Sequence, residues 1–188
     1  MKKFYLSALL LFALAGSATA QKTKYAGYDR LPKDSTTHKV VYTAVVPVAG
    51  ASKDELYNRG REWFARTFND ANRVLRMDDR TAGTLIGSGI ITQPALEAFS
   101  SGNNYHFNLA VYVKDGRFKY ELTDIEQKFR LGGKGQEFSN PLEFWATHKI
   151  NKLNNHELED ADERIKALLA SLEKAMAAKL EGTVKKDW

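Results

Sequence analysis

Tyr105–Gln127 reads YHFNLAVYVKDGRFKYELTDIEQ, and its pattern decides the fold. Tyr105, Phe107, Leu109, Val111 and Val113 alternate with polar or small residues, which is the period of a half-buried strand. Asp115-Gly116 is a favoured two-residue hairpin turn. That turn pairs Lys114 with Arg117, Val113 with Phe118, Val111 with Tyr120 and Leu109 with Leu122. Every pair on this face is apolar, so the turn geometry and the hydrophobic pattern select the same register. The same register sets His106, Asn108, Ala110 and Tyr112 opposite Ile125, Thr123, Glu121 and Lys119. This second face is mixed and suits water or a partner.

An apolar strand face needs a cover, and Ser52–Asn69, SKDELYNRGREWFARTFN, supplies one. Ser52 and Glu55 form a capping box, with Ala51 and Leu56 at the staple positions around it. Leu56, Gly60, Trp63, Phe64 and Phe68 then recur on one side at helical spacing, with Asp54, Asn58, Arg61, Glu62 and Arg66 mostly opposite. A second helix is expected over Glu157–Glu181. Its stripe is Leu158, Ala161, Ile165, Leu168, Leu169, Leu172, Met176 and Leu180. Asn154 and Glu157 are read as its start and Gly182 as its stop. The stripe spans about three heptads, so packing on a sheet is favoured over a coiled coil.

Three further strands are expected. His38–Val48 is rich in Val, Tyr and Thr, and Pro47 places it at an edge or a strand end. Arg73–Asp78 and Gly83–Ile91 flank a polar turn. Gly87 and Gly89 stand two apart and so share one face, as at a bulge or where another element comes close. They lie within a strand rather than before a helix, so Gly-Ser-Gly is no phosphate cradle. Asn69–Asn72 reads as a break, Thr92–Asn104 as a loop with a helical turn at Ala95–Phe99, and Gln21–Thr37 as a leader without periodicity. Lys128–Asn155 reads as an irregular flap. Phe138, Leu142, Phe144 and Trp145 in it either close over the core or form a partner patch. The order is strand, helix, four strands, helix. The fold class is α+β: a single antiparallel, curved sheet of about five strands with two long helices on one face, within one domain over residues 38–182.

The first twenty of the 188 residues have the form of an export signal: Lys2 and Lys3, an apolar run from Phe4 to Ala15, and Ala18-Thr19-Ala20 as a cleavage site. Removing those 20 residues leaves 168, and loss of the two lysines brings the formal charge from +5 to +3. The expected product is exported, periplasmic or secreted after cleavage following Ala20, with no membrane insertion of the mature chain and a six-residue tail from Thr183. The mild charge and the export signal argue against nucleic acid. The chain has no cysteine, which removes thiol chemistry, disulfides and cysteine metal sites.

Three stretches, VVYTAVVPVAGASKDELYNRGREWFARTFND, RVLRMDDRTAGTLIGSGII and YHFNLAVYVKDGRFKYELTD, resemble a family of exported bacterial proteins. It is catalogued as a domain of unknown function with a TBP-like fold, the fold of the TATA-binding protein. The resemblance runs from about Val40 to Asp124. It implies a curved sheet with two helices on the convex side, and it implies no activity.

No catalytic residue, cofactor or metal site emerges from motif or spacing. No nucleophile motif is present, and Asp78 and Asp79, adjacent on a polar turn, diverge. His38, His106, His148 and His156 have no metal-ligand spacing. Gly-Gly-Lys-Gly-Gln at 132–136 lacks the spacing and the hydroxyl of a P-loop. The expected function is a non-enzymatic binding module of the cell envelope. Its partner is an envelope protein, a peptide or a glycan, held on the open sheet face by His106, Tyr112, Lys119 and Glu121 or on the flap by Phe144 and Trp145. The alternative is an envelope hydrolase with a site that no motif marks.

Overall fold

The computed structural model describes residues 25–68, 74–95, 102–130 and 135–178. The expected signal at 1–20, the break at 69–72, most of the helical turn at 95–99, Gly132 and Gly133, and the tail lie outside those residues. The architecture is α+β: the described residues form a six-stranded antiparallel sheet and two α-helices. In chain order it contains β1 (Tyr42–Pro47), α1 (Lys53–Thr67), β2 (Leu75–Asp79), β3 (Thr84–Gln93), β4 (Asn103–Lys114), β5 (Arg117–Arg130), β6 (Glu137–Pro141), a 3-10 turn (Leu142–Ala146) and α2 (Lys152–Ala177). The sheet runs β1-β5-β4-β3-β2, and β6 pairs with the far half of β5.

The β4–β5 hairpin keeps the expected register from Lys114↔Arg117 through Asn108↔Thr123. Beyond it the pairing shifts, and His106 stands opposite Glu126 rather than Ile125. Asp124 is the cause. Its φ of 51° places it in the left-handed region, and its carboxylate accepts from Asn108 Nδ2 at 3.0 Å. One extra residue in β5 at this bulge changes which side every later side chain faces. Ile125 and Gln127, at 2% and 3% exposure, therefore enter the core, and Ile125 leaves the open face on which simple alternation puts it.

Both helices cover one face of the sheet. The capping box at Ser52 forms, with Glu55 N–H donating to Ser52 Oγ and Ser52 N–H to the Glu55 carboxylate. Leu56, Trp63 and Phe64 are buried, Phe68 packs at the margin, and Trp63 meets Phe64 edge-on. Burying each such side chain stabilises the fold by about 1.5–3 kcal/mol. The close approach expected at the two glycines is real. A Cβ on Gly87 would stand 2.9 Å from Phe64, and one on Gly89 would stand 2.4 Å from Phe107 and 2.7 Å from Phe68. Gly60 likewise lets α1 reach Leu85 of β3 and Met176 of α2.

Several expectations are corrected. α2 starts five residues before Glu157, because the Asn151 side chain, not Asn154, caps it by accepting Asn154 N–H at 2.9 Å. It closes at Ala177, before Gly182. Arg59, at 6% exposure, donates to the Met176 carbonyl at 2.8 Å and so satisfies a terminal acceptor of α2. The flap is more ordered than its composition suggests. β5 continues to Arg130, β6 pairs with it through Phe129↔Phe138, and Leu142 is buried. The leader is not a bystander: Tyr28 and Leu31 are core residues, Lys33 bridges to Val40, and Gly27 N–H donates to Asn155 Oδ1 at 2.8 Å. The strand expected from His38 begins only at Tyr42, since His38 at φ 57° interrupts the extended run.

The β2 edge is tied to α1 through Asp78, which is exposed but lies on the strand and is paired rather than free on a turn. It accepts from the Tyr57 hydroxyl, and from Arg61 Nε at 2.8 Å, while Arg80 lies 4.7 Å over the Tyr57 ring. Burial acts to raise the Asp78 pKa, but the hydrogen bonds from Arg61 and Tyr57 and the charges of Arg61 and Arg80 outweigh it and hold the carboxyl below its usual range. Burial and that same carboxylate push the Tyr57 phenol up to about 12.

Three outcomes are expected. Asp124→Val should cost about 1–2 kcal/mol in urea denaturation, because a β-branched residue resists positive φ, whereas Asp124→Gly should cost much less. Gly89→Ala should destabilise by about 1–3 kcal/mol on the same measurement through overpacking against Phe107 and Phe68. A depressed carboxyl pKa contributes stability that is complete above its unfolded value of about 4 and is lost as pH falls through the folded value. Asp78→Asn should thus flatten the acid side of a stability-versus-pH profile below about pH 4 and leave the slope near neutrality unchanged.

Candidate functional site

The strand pleat leaves one face of the sheet without a helix. On β4 it presents His106, Asn108, Ala110 and Tyr112, and on β5 Arg117, Lys119, Glu121, Thr123, Glu126 and Lys128. The neighbouring strands add Thr43 and Val45 from β1, Ile86, Ser88 and Ile90 from β3, and Met77 from β2. Val45, Met77 and Ile90 are 60%, 47% and 53% exposed, and all three are on this face.

Concavities on it include two lined by described residues. One, of about 550 Å³, lies beside the β4–β5 turn and is lined by Val45, Tyr112, Lys114, Arg117, Lys119 and Glu121. Here the register sets Tyr112 against Lys119, which pairs with Glu121 at 2.5 Å. That hydrogen bond and charge hold the Lys119 ammonium pKa above its ordinary value. The other, of about 380 Å³, is lined by residues that include Arg76, Ile90, His106, Asp124, Glu126 and Lys128. Burial, followed by the charge of Lys128, lowers the His106 pKa against the opposing pull of Glu126 and Glu137. His106 therefore favours the neutral imidazole at neutral pH.

The sequence-derived residues thus fall into separate places. Tyr112, Lys119 and Glu121 share one concavity. His106 sits in the other, six residues back along β4 and about 20 Å away at the rise of an extended strand. Phe144 and Trp145 belong to neither. Trp145 packs against the core and donates to Gln127 Oε1 at 3.2 Å, on the helix-covered face. Phe144 stacks on His148 with ring centroids 3.6 Å apart. Of the two readings of the flap, closure over the core describes Trp145.

Val45, Ile90, Lys114 and Arg117 extend the open face beyond the residues that sequence reasoning singled out. Lys114 and Arg117 were legible as the pair flanking the turn. Val45 was not, because both parities of VVYTAVVPV are apolar and periodicity cannot choose its outward side.

A third concavity, of about 460 Å³, runs between α1 and β2 and is lined by Tyr57, Asn58, Arg61, Glu62, Asp78 and Arg80. Its charges are matched: Arg61 with Asp78, Arg80 with Asp54, and Arg66 with Glu62 at its margin. Asp78 and Asp79 diverge as expected, Asp79 accepting from Ala82 N–H at 2.8 Å within the turn. Among the described residues no three His, Asp or Glu side chains converge in a way that could hold a metal ion. Nor is any helix among them long and apolar enough to cross a membrane.

Comparison with known proteins places this geometry. Residues 42–128 match the model of a domain of unknown function (DUF4468) with TBP-like fold. A TBP-like protein from Parabacteroides distasonis is similar in structure, with a TM-score of 0.63 at 16% identity, over 73% of this chain and 92% of that one. A DUF4468 family protein from Bacteroides ovatus is similar with a TM-score of 0.55 at 17% identity, over 82% of this chain and 94% of that one. No curated protein matches. At these identities the two structures speak to the fold alone, and over residues 42–128 the chain is similar to the DUF4468 domains of unknown function with a TBP-like fold.

Proposed function

We propose that the domain is a non-enzymatic binding module whose open sheet face receives a partner, and that it works in the cell envelope after export and cleavage following Ala20. The observation that carries the reading is the placement of three exposed aliphatic side chains, Val45, Met77 and Ile90, on a sheet face that neither helix covers. The three are spread across the face, Val45 on β1, Ile90 on β3 and Met77 on β2, so it is the uncovered face as a whole, apolar in places and bordered by charge, that supports an interaction surface. The form of the first twenty residues supports the compartment.

The three concavities favour binding over catalysis. The histidine in one is biased toward neutrality, and the Ser88 hydroxyl that lines the same concavity donates to Asn108 Oδ1 at 2.8 Å rather than to the imidazole, while the carboxylate in the α1–β2 groove is held ionised by Arg61 and Tyr57. The partner classes that suit such a face are an envelope protein, a peptide or a glycan.

A photo-crosslinking amino acid placed at Tyr112, at Ile90 and, on the helix side, at Lys166 tests this in cells that make the protein. Discrete adducts from Tyr112 and Ile90, with none from Lys166, are the expected result. Absence of adducts from both open-face positions, or equal labelling from Lys166, would overturn the proposal.

A further inference from the structure

Resting on that reading of the open face, we infer that the concavity beside the β4–β5 turn takes an acidic peptide segment carrying an apolar side chain. The floor presents apolar surface outward on both sides of Lys119: Val45 on β1 is 60% exposed, and Tyr112 on β4 stands across Lys119 from it. The rim is basic. Lys114 and Arg117 face each other across the turn, both exposed, and among the described residues neither takes part in an ion pair. Lys119 is the third cation, already neutralised by Glu121.

The nearest further acid is Asp115, at the tip of the turn. Its Oδ1 accepts Lys53 N–H at 2.7 Å, so it is directed at the start of α1. The concavity thus presents two uncompensated positive charges around an aliphatic and aromatic floor. An apolar side chain seated against Val45 and Tyr112, with carboxylates on its flanking residues, meets both features at once.

The depression lies on a sheet face and is not enclosed. A small anion there would keep much of its surface in water, whereas enclosed sites bury about 70–90% of a small ligand. A chain that continues past the concavity covers it and adds contacts along the rest of the face, where Thr43 and Ile86 follow.

The test is a titration of the ¹⁵N-labelled mature domain with an acetylated and amidated Asp-Asp-Leu-Phe-Asp-Asp peptide, followed in ¹H–¹⁵N correlation spectra. Two control peptides replace Leu-Phe by Gly-Gly or every Asp by Lys. Saturable shifts centred on Val45, Tyr112 and Lys119, weaker with both controls and reduced by salt, are expected. The double variant Lys114→Glu/Arg117→Glu, whose dispersed spectrum reports that it folds, should bind about tenfold more weakly. Tyr112→Ala should also weaken binding while leaving the salt dependence intact.

Absence of saturable shifts, equal binding of the lysine peptide, or unchanged affinity in the double variant would overturn the inference. So would saturation of the same amides by phenylacetate at the same concentration, which would assign the site to small organic anions. Should crosslinks from Tyr112 and Ile90 persist while the peptide fails, the ligand class falls and the open-face reading stands. If both fail, the reading of the face falls with it.

Discussion

Every other part of the sheet is attached to one hairpin, β4–β5. β3 lies along β4, while β1 and β6 divide the outer edge of β5 between them. The register of that hairpin therefore sets which side chains the whole sheet offers to the helices and which it leaves outside. A slip by one residue would exchange the two faces. The apolar pairs Val113↔Phe118, Val111↔Tyr120 and Leu109↔Leu122 resist such a slip, and the bulge at Asp124 then reverses the parity for the remainder of β5. Without that reversal Ile125 and Gln127 would face outward, and Trp145 would lose its acceptor.

The helices are joined to this frame by aromatic bulk on one side and missing side chains on the other. Phe64 and Phe68 fit because Gly87 and Gly89 have nothing to place against them. Polar contacts then fix α2 relative to α1 and to the sheet. Trp63 Nε1 donates to Ser171 Oγ at 3.0 Å, and the Tyr42 and Tyr120 hydroxyls reach Asp162 and Glu173 of α2 at 2.8 and 2.9 Å. These tyrosines lie on strands whose alternate residues face open solvent. The same pleat therefore anchors α2 and displays Val45 and Lys119.

Much of this was legible in the sequence because it is local or periodic. The hairpin turn, the capping box, the apolar stripes and the paired glycines each declare themselves within a few residues. What was not legible depends on distant partners. β6 has no alternating pattern, and becomes a strand only because Phe138 lies against Phe129. The burial of Tyr28 and Leu31 has no local signal, and the segment that carries them is held by a partner 128 residues later, Gly27 N–H donating to Asn155 Oδ1. The Asp124 bulge rests on a backbone conformation that aspartate tolerates but does not announce. The candidate surface was half legible. Tyr112, Lys119 and Glu121 follow from the hairpin register, but the exposed side of β1 emerges only once β1 has a neighbour.

The pairing of β1 with β5 also orders the assembly of the chain. Among the described residues β1 is the first strand in sequence, yet its partner lies about 70–80 residues away, after α1 and three other strands. The β4–β5 hairpin closes through a two-residue turn, an event of roughly 1–10 μs, whereas a strand so distant must first overcome the entropy of a long loop. On these closure entropies the hairpin is expected to form first and β1 to dock onto a surface already made. In this topology a segment that precedes the hairpin in the chain is expected to find its place after it.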